Sequence, residues 1–481
     1  MSLGRLTRGD ESAPNVGIVH LGVGAFHRGH QAWYTHKAMK HSDGDWGILG
    51  VSLRSGKVAE QLNPQGGAYT LVEQDERNIS TELVTSLTQV LVAPNNPQDV
   101  LDALADASVK IVSLTITEKG YCHQPSDGQL NFDSPEIQYD LAHPDAPVTA
   151  IGFLVYAMQS RIAKGIPAFS VLSCDNLRAN GLLLQNLILA FAERISPLLA
   201  EQIQSQYTFP CCMVDRIVPS IDETKRQAFC QVLDVDDQAI VVTEPFHQWV
   251  IEDMFVQGRP AWEKVGALMV SSVHNYESMK LQLLNGSHSA IAYIGKLSGF
   301  DTVSAAVQHP PFRRYLHELM LTELLPSLII PPEINVYHYC EQLLHRFSNT
   351  RLVHETQQIA MDGTQKLPQR WMKPLTYQLN HGLCAERLYF AIANWIQFSS
   401  GKGLNGEPMK VQDPIAEDLS LCFNSDVKLW VESILALPNL FDEAVASDAL
   451  VVESITHWLT RLQYVDSPMA LLSEVIAKSE K

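Results

Sequence analysis

Gly17-Ile18-Val19-His20-Leu21-Gly22-Val23-Gly24 is a short apolar run that ends in closely spaced glycines. A run of this length reads as a buried strand, and the glycines mark the turn that it feeds. Ala25-Phe26-His27-Arg28-Gly29-His30 leads out of the turn, and Gln31–Lys40 reads as the helix beyond it. The pattern then repeats. Trp46–Leu53 is a second strand, Asp99–Ala107 a short helix after PNNPQ, and Lys110–Ile116 a third strand. Val148–Lys164 is an amphipathic helix, Pro167–Cys174 another strand and Asn180–Arg194 a long helix. Alternating strands and helices imply a parallel sheet covered on both faces, an α/β domain.

From about Tyr276 the period changes to that of helices, in stretches near 276–296, 310–325, 335–347, 381–399 and 426–437. The expected division is therefore 1–275, an α/β domain, and 276–481, a mainly α-helical domain, with the boundary near 270–280. Two domains also suit 481 residues, too many for one core. A hairpin-like insertion is expected at about 205–250. Apolar residues make up 46% and charged residues 18%, as in a folded globular chain. With 35 Lys and Arg against 53 Asp and Glu, the formal charge of −18 argues against nucleic acid or an anionic membrane as the partner. No stretch approaches the ~18 apolar residues of a membrane span, and the N-terminus lacks a signal-peptide core. Eight scattered cysteines without a CxxC look like reduced thiols, and a cytoplasmic location is expected.

Gly22-x-Gly24 after the first strand suits a dinucleotide, because glycines let the backbone approach a pyrophosphate. Phe26, His27 and Arg28 belong to the same turn, and Arg28 is placed to add a phosphate contact. An ordinary strand–helix turn would look similar. Such a site usually carries an acid at the end of the second strand, on the ribose. Here that segment is Gly50-Val51-Ser52-Leu53-Arg54-Ser55-Gly56-Lys57, without an acid. NAD is the expected cofactor, with NADP not excluded. Thr115, Thr117 and Glu118 end a later strand, where ligands of open α/β sheets bind. Together these features describe a Rossmann-like domain.

Met279-Lys280-Leu281-Gln282-Leu283-Leu284-Asn285-Gly286-Ser287-His288 is the most informative stretch for chemistry. On an α-helix Asn285 lies about 140° and His288 about 80° around the axis from Lys280. The three share a cleft if the segment is not strictly α-helical. A lysine among leucines can act as a base for an alcohol proton once its pKa is depressed, and an amide can stabilise charge on the oxygen. The spacing fits equally a snorkelling lysine beside a packed core histidine.

Lys280-x4-Asn285-x2-His288 resembles the signature of the long-chain mannitol dehydrogenase family. GVGAFHRGHQ, with Arg28 near the usual third glycine, is similar to its cofactor fingerprint. Ser173-Cys174-Asp175-Asn176, Met213-Val214-Asp215-Arg216, Glu244-Pro245-Phe246 with Trp249 and Glu252, and Asp362-Gly363-Thr364-Gln365-Lys366-Leu367-Pro368 follow in the family's order. The resemblance implies Lys280 as general acid/base, Asn176 and Asn285 on the reacting oxygen, and His288, Asp215 and Lys366 on the substrate. It implies no metal, and the chain has no HExxH. His27, His30 and His36 are expected to pack or contact phosphate rather than bind zinc.

QIAMDGTQKLPQR, preceded by RFSN, with SLTITEKGYC and FPCCMVDRIVP, most resembles the fructuronate reductase branch of the family. The resemblance implies interconversion of D-fructuronate and D-mannonate with NAD. A sugar acid needs a cation for its carboxylate. Lys366 and Arg370 stand four apart, and Arg346 and Arg178 are further candidates. The alternatives are mannitol or arabinitol 2-dehydrogenase, a tagaturonate reductase, or a non-catalytic nucleotide-binding regulator. A small-molecule sugar acid or polyol is the expected partner, and the chain is expected to be a monomer or small homo-oligomer.

Overall fold

Strand β1 (Val16–Leu21) pairs in parallel with β2 (Gly47–Ser52), as the opening apolar run requires. The computed structural model describes residues 3–10, 12–124 and 128–478. The chain divides into two compact units, Met1–His274 and Asn275–Lys481.

In the first unit β3 (Tyr69–Gln74), β4 (Ile79–Val84), β5 (Leu87–Val92), β6 (Ile111–Leu114) and β7 (Ser170–Ser173) follow. The main sheet has the order β5-β2-β1-β6-β7, with every pairing parallel. Its strands are buried on both faces. Ile18, Ile111 and Leu172 point into one cluster with Trp33 and Trp262, while Val19, Val112 and Val171 point into the other. That period of two on a continuously apolar strand is what helices on both faces produce. The chain order reverses at β1, between β2 and β6, and this is the switch point where ligands of such sheets bind.

Residues 54–98 carry no clear periodic signal in the sequence, yet three strands form there. β3 pairs antiparallel with β4 and parallel with β9 (Val241–Thr243), making a second sheet of order β4-β3-β9. β4 is an exposed edge, so it carries little apolar signal. A third sheet joins β8 (Cys212–Asp215), β10 (Gln248–Glu252) and β11 (Leu268–Val270) in the order β11-β10-β8. The expected 205–250 hairpin therefore does not form. Its two runs become β8 and β9, which belong to different sheets and are separated by the Glu223–Leu233 helix.

The second unit is helical among its described residues. Its core is built largely on Ser287–Leu297, Glu386–Ser399 and Ala449–Leu462. Three segments are π-helical: Lys280–Gly286, Leu319–Leu324 and Pro368–Met372. The first and third meet where Trp371 Nε1 donates to the Gly286 carbonyl at 3.1 Å. No helix among the described residues is long and apolar enough to cross a membrane.

Candidate active site

In the first unit, a cavity of about 280 Å³ opens at the switch point. Gly22 and Gly24 after β1, Ser52–Ser55 at the end of β2 and just beyond it, and Thr115 and Thr117 after β6 line it. Gly22 has φ +95, and a Cβ there would lie 2.1 Å from the Thr115 carbonyl oxygen. Only glycine permits that turn. Around Gly24 a Cβ would meet nothing within 4 Å, so the backbone there faces open space that a ligand can enter.

Beneath the turn lies a buried polar chain. His20 Nδ1 is 2.8 Å from Ser113 Oγ, and its Nε2 is 2.9 Å from Thr115 Oγ1. Thr115 Oγ1 donates to the Gly22 carbonyl at 2.7 Å, and Ser113 Oγ lies 2.9 Å from Gln31 Oε1. Each hydroxyl has a single proton. With the Gln31 amide turned so that its nitrogen donates to Ser113, one continuous chain results: Ser113 donates to His20, His20 to Thr115, and Thr115 to Gly22. Burial lowers the His20 pKa to about 3, so the ring is neutral as this chain requires.

Four of the expected nucleotide residues, Gly22, Gly24, Thr115 and Thr117, line the cavity; the others do not. The helix after the turn spans only Ala25–Gly29, and a second begins at Gln31. His27 points inward and stacks on His20 at 3.4 Å between ring centroids. Phe26 stacks on His30. Arg28 is buried, donates to the Ala239 carbonyl and lies over the Tyr69 ring. Its guanidinium serves the interior, which corrects the expected phosphate contact. Glu118 is exposed and starts the 3-10 turn Glu118–Tyr121. An acid that no sequence pattern marks also lines this cavity. Glu136, at the start of the Pro135–Ala142 helix, lines it and lies 3.9 Å from Arg54. It stands more than 80 residues beyond the second strand, where no spacing rule points.

Asn176 follows β7 in an exposed turn, and Asp215 is buried at the end of β8. No group of three or more His, Cys, Asp or Glu among the described residues is arranged to hold a metal ion.

In the second unit the informative stretch is helical throughout, but Lys280–Gly286 is a π-turn between α-helices. Hydrogen bonding from i to i+5 brings residues five apart onto one face. Lys280 and Asn285, about 140° apart on an α-helix, are thus aligned. His288, three residues beyond Asn285, continues the face. All three side chains are buried. Asn285 Nδ2 and His288 Nε2 have no hydrogen-bond partner. His288 packs on Phe347 at 4.7 Å and His354 at 5.1 Å. Burial pushes its pKa well below the usual range, and His354, Arg370, Arg346 and Lys280 push it further. A neutral imidazole thus stands among three cations. Arg370 lies in the third π-segment, donates to Ser289 Oγ at 2.7 Å, and burial lowers its pKa to about 10. Lys366 Nζ donates to the Met361 carbonyl at 2.5 Å and the Ile359 carbonyl at 3.3 Å.

A Rossmann unit with a glycine-lined cavity, followed by a helical unit presenting a buried lysine and unpartnered donors, defines a nucleotide-dependent dehydrogenase. The chain belongs to the mannitol dehydrogenase family: the family's Rossmann domain matches residues 16–264 and its C-terminal domain residues 272–463. It is an oxidoreductase acting on CH–OH groups. It is 41% identical over 452 residues to the D-mannonate oxidoreductase of Escherichia coli K12, covering 93% of both chains. It superposes on the Pseudomonas fluorescens mannitol 2-dehydrogenase, solved as a ternary complex with NAD and D-mannitol, with a TM-score of 0.86 and 36% identity, over 99% of this chain and 98% of that one. A substrate-free D-sorbitol dehydrogenase gives a TM-score of 0.89 at 30% identity, over 98% of each chain.

Proposed function

We propose that the chain is an NAD-dependent reductase that interconverts D-fructuronate and D-mannonate, with Lys280 as general acid/base. One observation carries the reading: beside Lys280, Asn285 Nδ2 and His288 Nε2 are buried with no partner. A buried unsatisfied polar group costs about 1–3 kcal/mol. Groups kept in that state on the face of a lysine are arranged for a ligand's oxygens.

The cavity fits a dinucleotide, with the Gly22–Gly24 backbone and the Thr115–Thr117 loop as its walls. When bound, NAD supplies the hydride acceptor. In the oxidative direction Lys280 takes the hydroxyl proton as the C–H bond breaks; in reduction it returns that proton to the carbonyl oxygen. Asn285 donates to this oxygen where charge develops. His288, neutral, orients a neighbouring hydroxyl. Family resemblance alone carries the assignments of Asn176 to the reacting oxygen and of Asp215 and Lys366 to the substrate.

The sugar-acid reading is supported by the arginines Arg346 and Arg370 near His288, which suit a carboxylate, and by the similarity to a D-mannonate oxidoreductase. NAD over NADP is supported by Glu136, an acid that lines the cavity and that a 2′-phosphate would meet unfavourably. The eight free cysteines suit a reducing compartment, the cytoplasm. A second reading, a mannitol-type polyol dehydrogenase, is favoured by the close superposition on the mannitol complex. NADH and NADPH consumption with fructuronate, tagaturonate and fructose, measured side by side, decides between them. Fructuronate with NADH is expected to be fastest. Preference for fructose would select the polyol enzyme, and no turnover with any of the three would select a nucleotide-binding regulator.

A further inference from the structure

Thr117 has φ +64 and ψ 162. This corner of backbone space is essentially reserved for glycine, and a β-branched residue there is strained. The strain falls on the wall of the first unit's cavity, in the loop that leaves β6. A loop keeps such a residue only where its surroundings over-determine it.

The restraint is visible. Asp175, two residues beyond β7, accepts from the Ile116 amide at 2.8 Å with Oδ2 and from the Thr117 amide at 3.0 Å with Oδ1. Tyr121 OH donates to the same Oδ2 at 2.8 Å. Tyr121 is fully buried, and its oxygen also lies 2.5 Å from Ser173 Oγ, at the end of β7. One carboxylate thus ties consecutive amides of the loop to the neighbouring strand. Downstream, the Gly120 amide returns to the Thr117 carbonyl at 3.0 Å, which presses Gly120 against Ile116. Ile116, Thr117 and Gly120 all line the cavity. Without the two amide contacts only the hydrogen bond from Gly120 would hold Thr117 out of an ordinary extended conformation.

We propose that Asp175 is a positioning residue for the nucleotide: by gripping the Ile116 and Thr117 amides it holds Thr117 in a strained conformation and so fixes the cavity wall. The proposal rests on reading the cavity as the dinucleotide site. Asp175 touches neither cofactor nor substrate in this role.

The test uses the full chain, NADH titrated by quenching of protein fluorescence, and thermal melting. Thr117→Gly relieves the strain and Thr117→Ala keeps it, since alanine still carries a Cβ. The glycine variant is expected to melt above the alanine variant, the reverse of the usual order in loops. Asp175→Asn is expected to weaken NADH binding about tenfold, the equivalent of one charge-assisted hydrogen bond. In the Thr117→Gly background the same change is expected to cost less than half as much stability, because there is no strain left to restrain. A glycine variant that melts below the alanine variant would overturn the strain. Asp175→Asn with wild-type NADH affinity, whatever its melting temperature, would overturn the positioning role. A wild-type chain that does not bind NADH would instead overturn the nucleotide reading itself, and the proposal with it.

Discussion

Asn285→Ala separates a residue kept for catalysis from one kept for folding. Asn285 Nδ2 is buried without a partner, so removing it breaks no hydrogen bond of that nitrogen and ends a desolvation cost of about 1–3 kcal/mol. Against this stands the loss of packing from a few side-chain atoms, of similar size. The two nearly cancel. The expected change in stability is within about 1 kcal/mol, or about 2–4 °C for a unit of roughly 200 residues. Catalysis has no such cancellation. A donor aimed at a developing oxyanion contributes about 2.7–4 kcal/mol, so kcat is expected to fall about 10²–10³-fold. Stopped-flow or steady-state NADH oxidation with fructuronate reads the rate, and differential scanning calorimetry reads the stability. A variant that melts far lower yet turns over at near wild-type rate would make Asn285 a structural amide and overturn its place on the reacting oxygen.

Other outcomes follow from the same geometry. Gly22→Ala places a Cβ 2.1 Å from the Thr115 carbonyl at φ +95, and is expected to lower stability by at least about 2 kcal/mol in a denaturant titration. Gly24→Ala, with nothing within 4 Å of the new methyl, is expected to keep the wild-type melting temperature while weakening NADH binding in the same fluorescence titration. Arg370→Met is expected to reduce kcat/KM for fructuronate about 10²-fold while sparing fructose, if the cations around His288 hold a carboxylate. His20 and His30 titrate at about 3 in the fold and His354 at about 4, all because of burial. An unfolded chain takes up these protons near 6.5. Their contribution is therefore complete above that pH and is lost as pH falls, by about 2 kcal/mol per ring at pH 5, which urea titrations at pH 7 and 5 would register.

Much of this was legible in the sequence because it depends on local pattern. The apolar run from Gly17 into Gly22 and Gly24 can only be a buried strand and its turn, and its recurrence near Trp46, Lys110 and Pro167 yields the parallel sheet. What escaped is what depends on partners distant in sequence. β4 lies at an edge with most of its side chains in solvent, so its pattern says little. The runs ending at Asp215 and Thr243 look like hairpin arms, yet each pairs with a strand of another sheet. Arg28 sits at the spacing of a phosphate ligand, but its guanidinium is buried and donates to the Ala239 carbonyl. Glu136 reaches the cavity from the Pro135–Ala142 helix, and Asp175 reaches the amides of its wall from beyond β7. The π-turn at Lys280–Gly286 is the most consequential of these. On an α-helix Lys280 and Asn285 would face apart, and no propensity reports a change from i+4 to i+5 hydrogen bonding. The family signature marked both residues without explaining how they meet.

The turn places Lys280 at the head of that face, where its proton transfer would make or break the O–H bond of the substrate. The most direct measurement is the single-turnover rate of NADH oxidation by fructuronate in Lys280→Ala, with NADH affinity measured in the same preparation. Loss of a general acid lowers the rate about 10²–10⁴-fold, and NADH affinity should stay at the wild-type value, since the glycine-lined cavity is built by other residues. A rate within about twofold of wild type, with intact NADH binding, would contradict the assignment of Lys280.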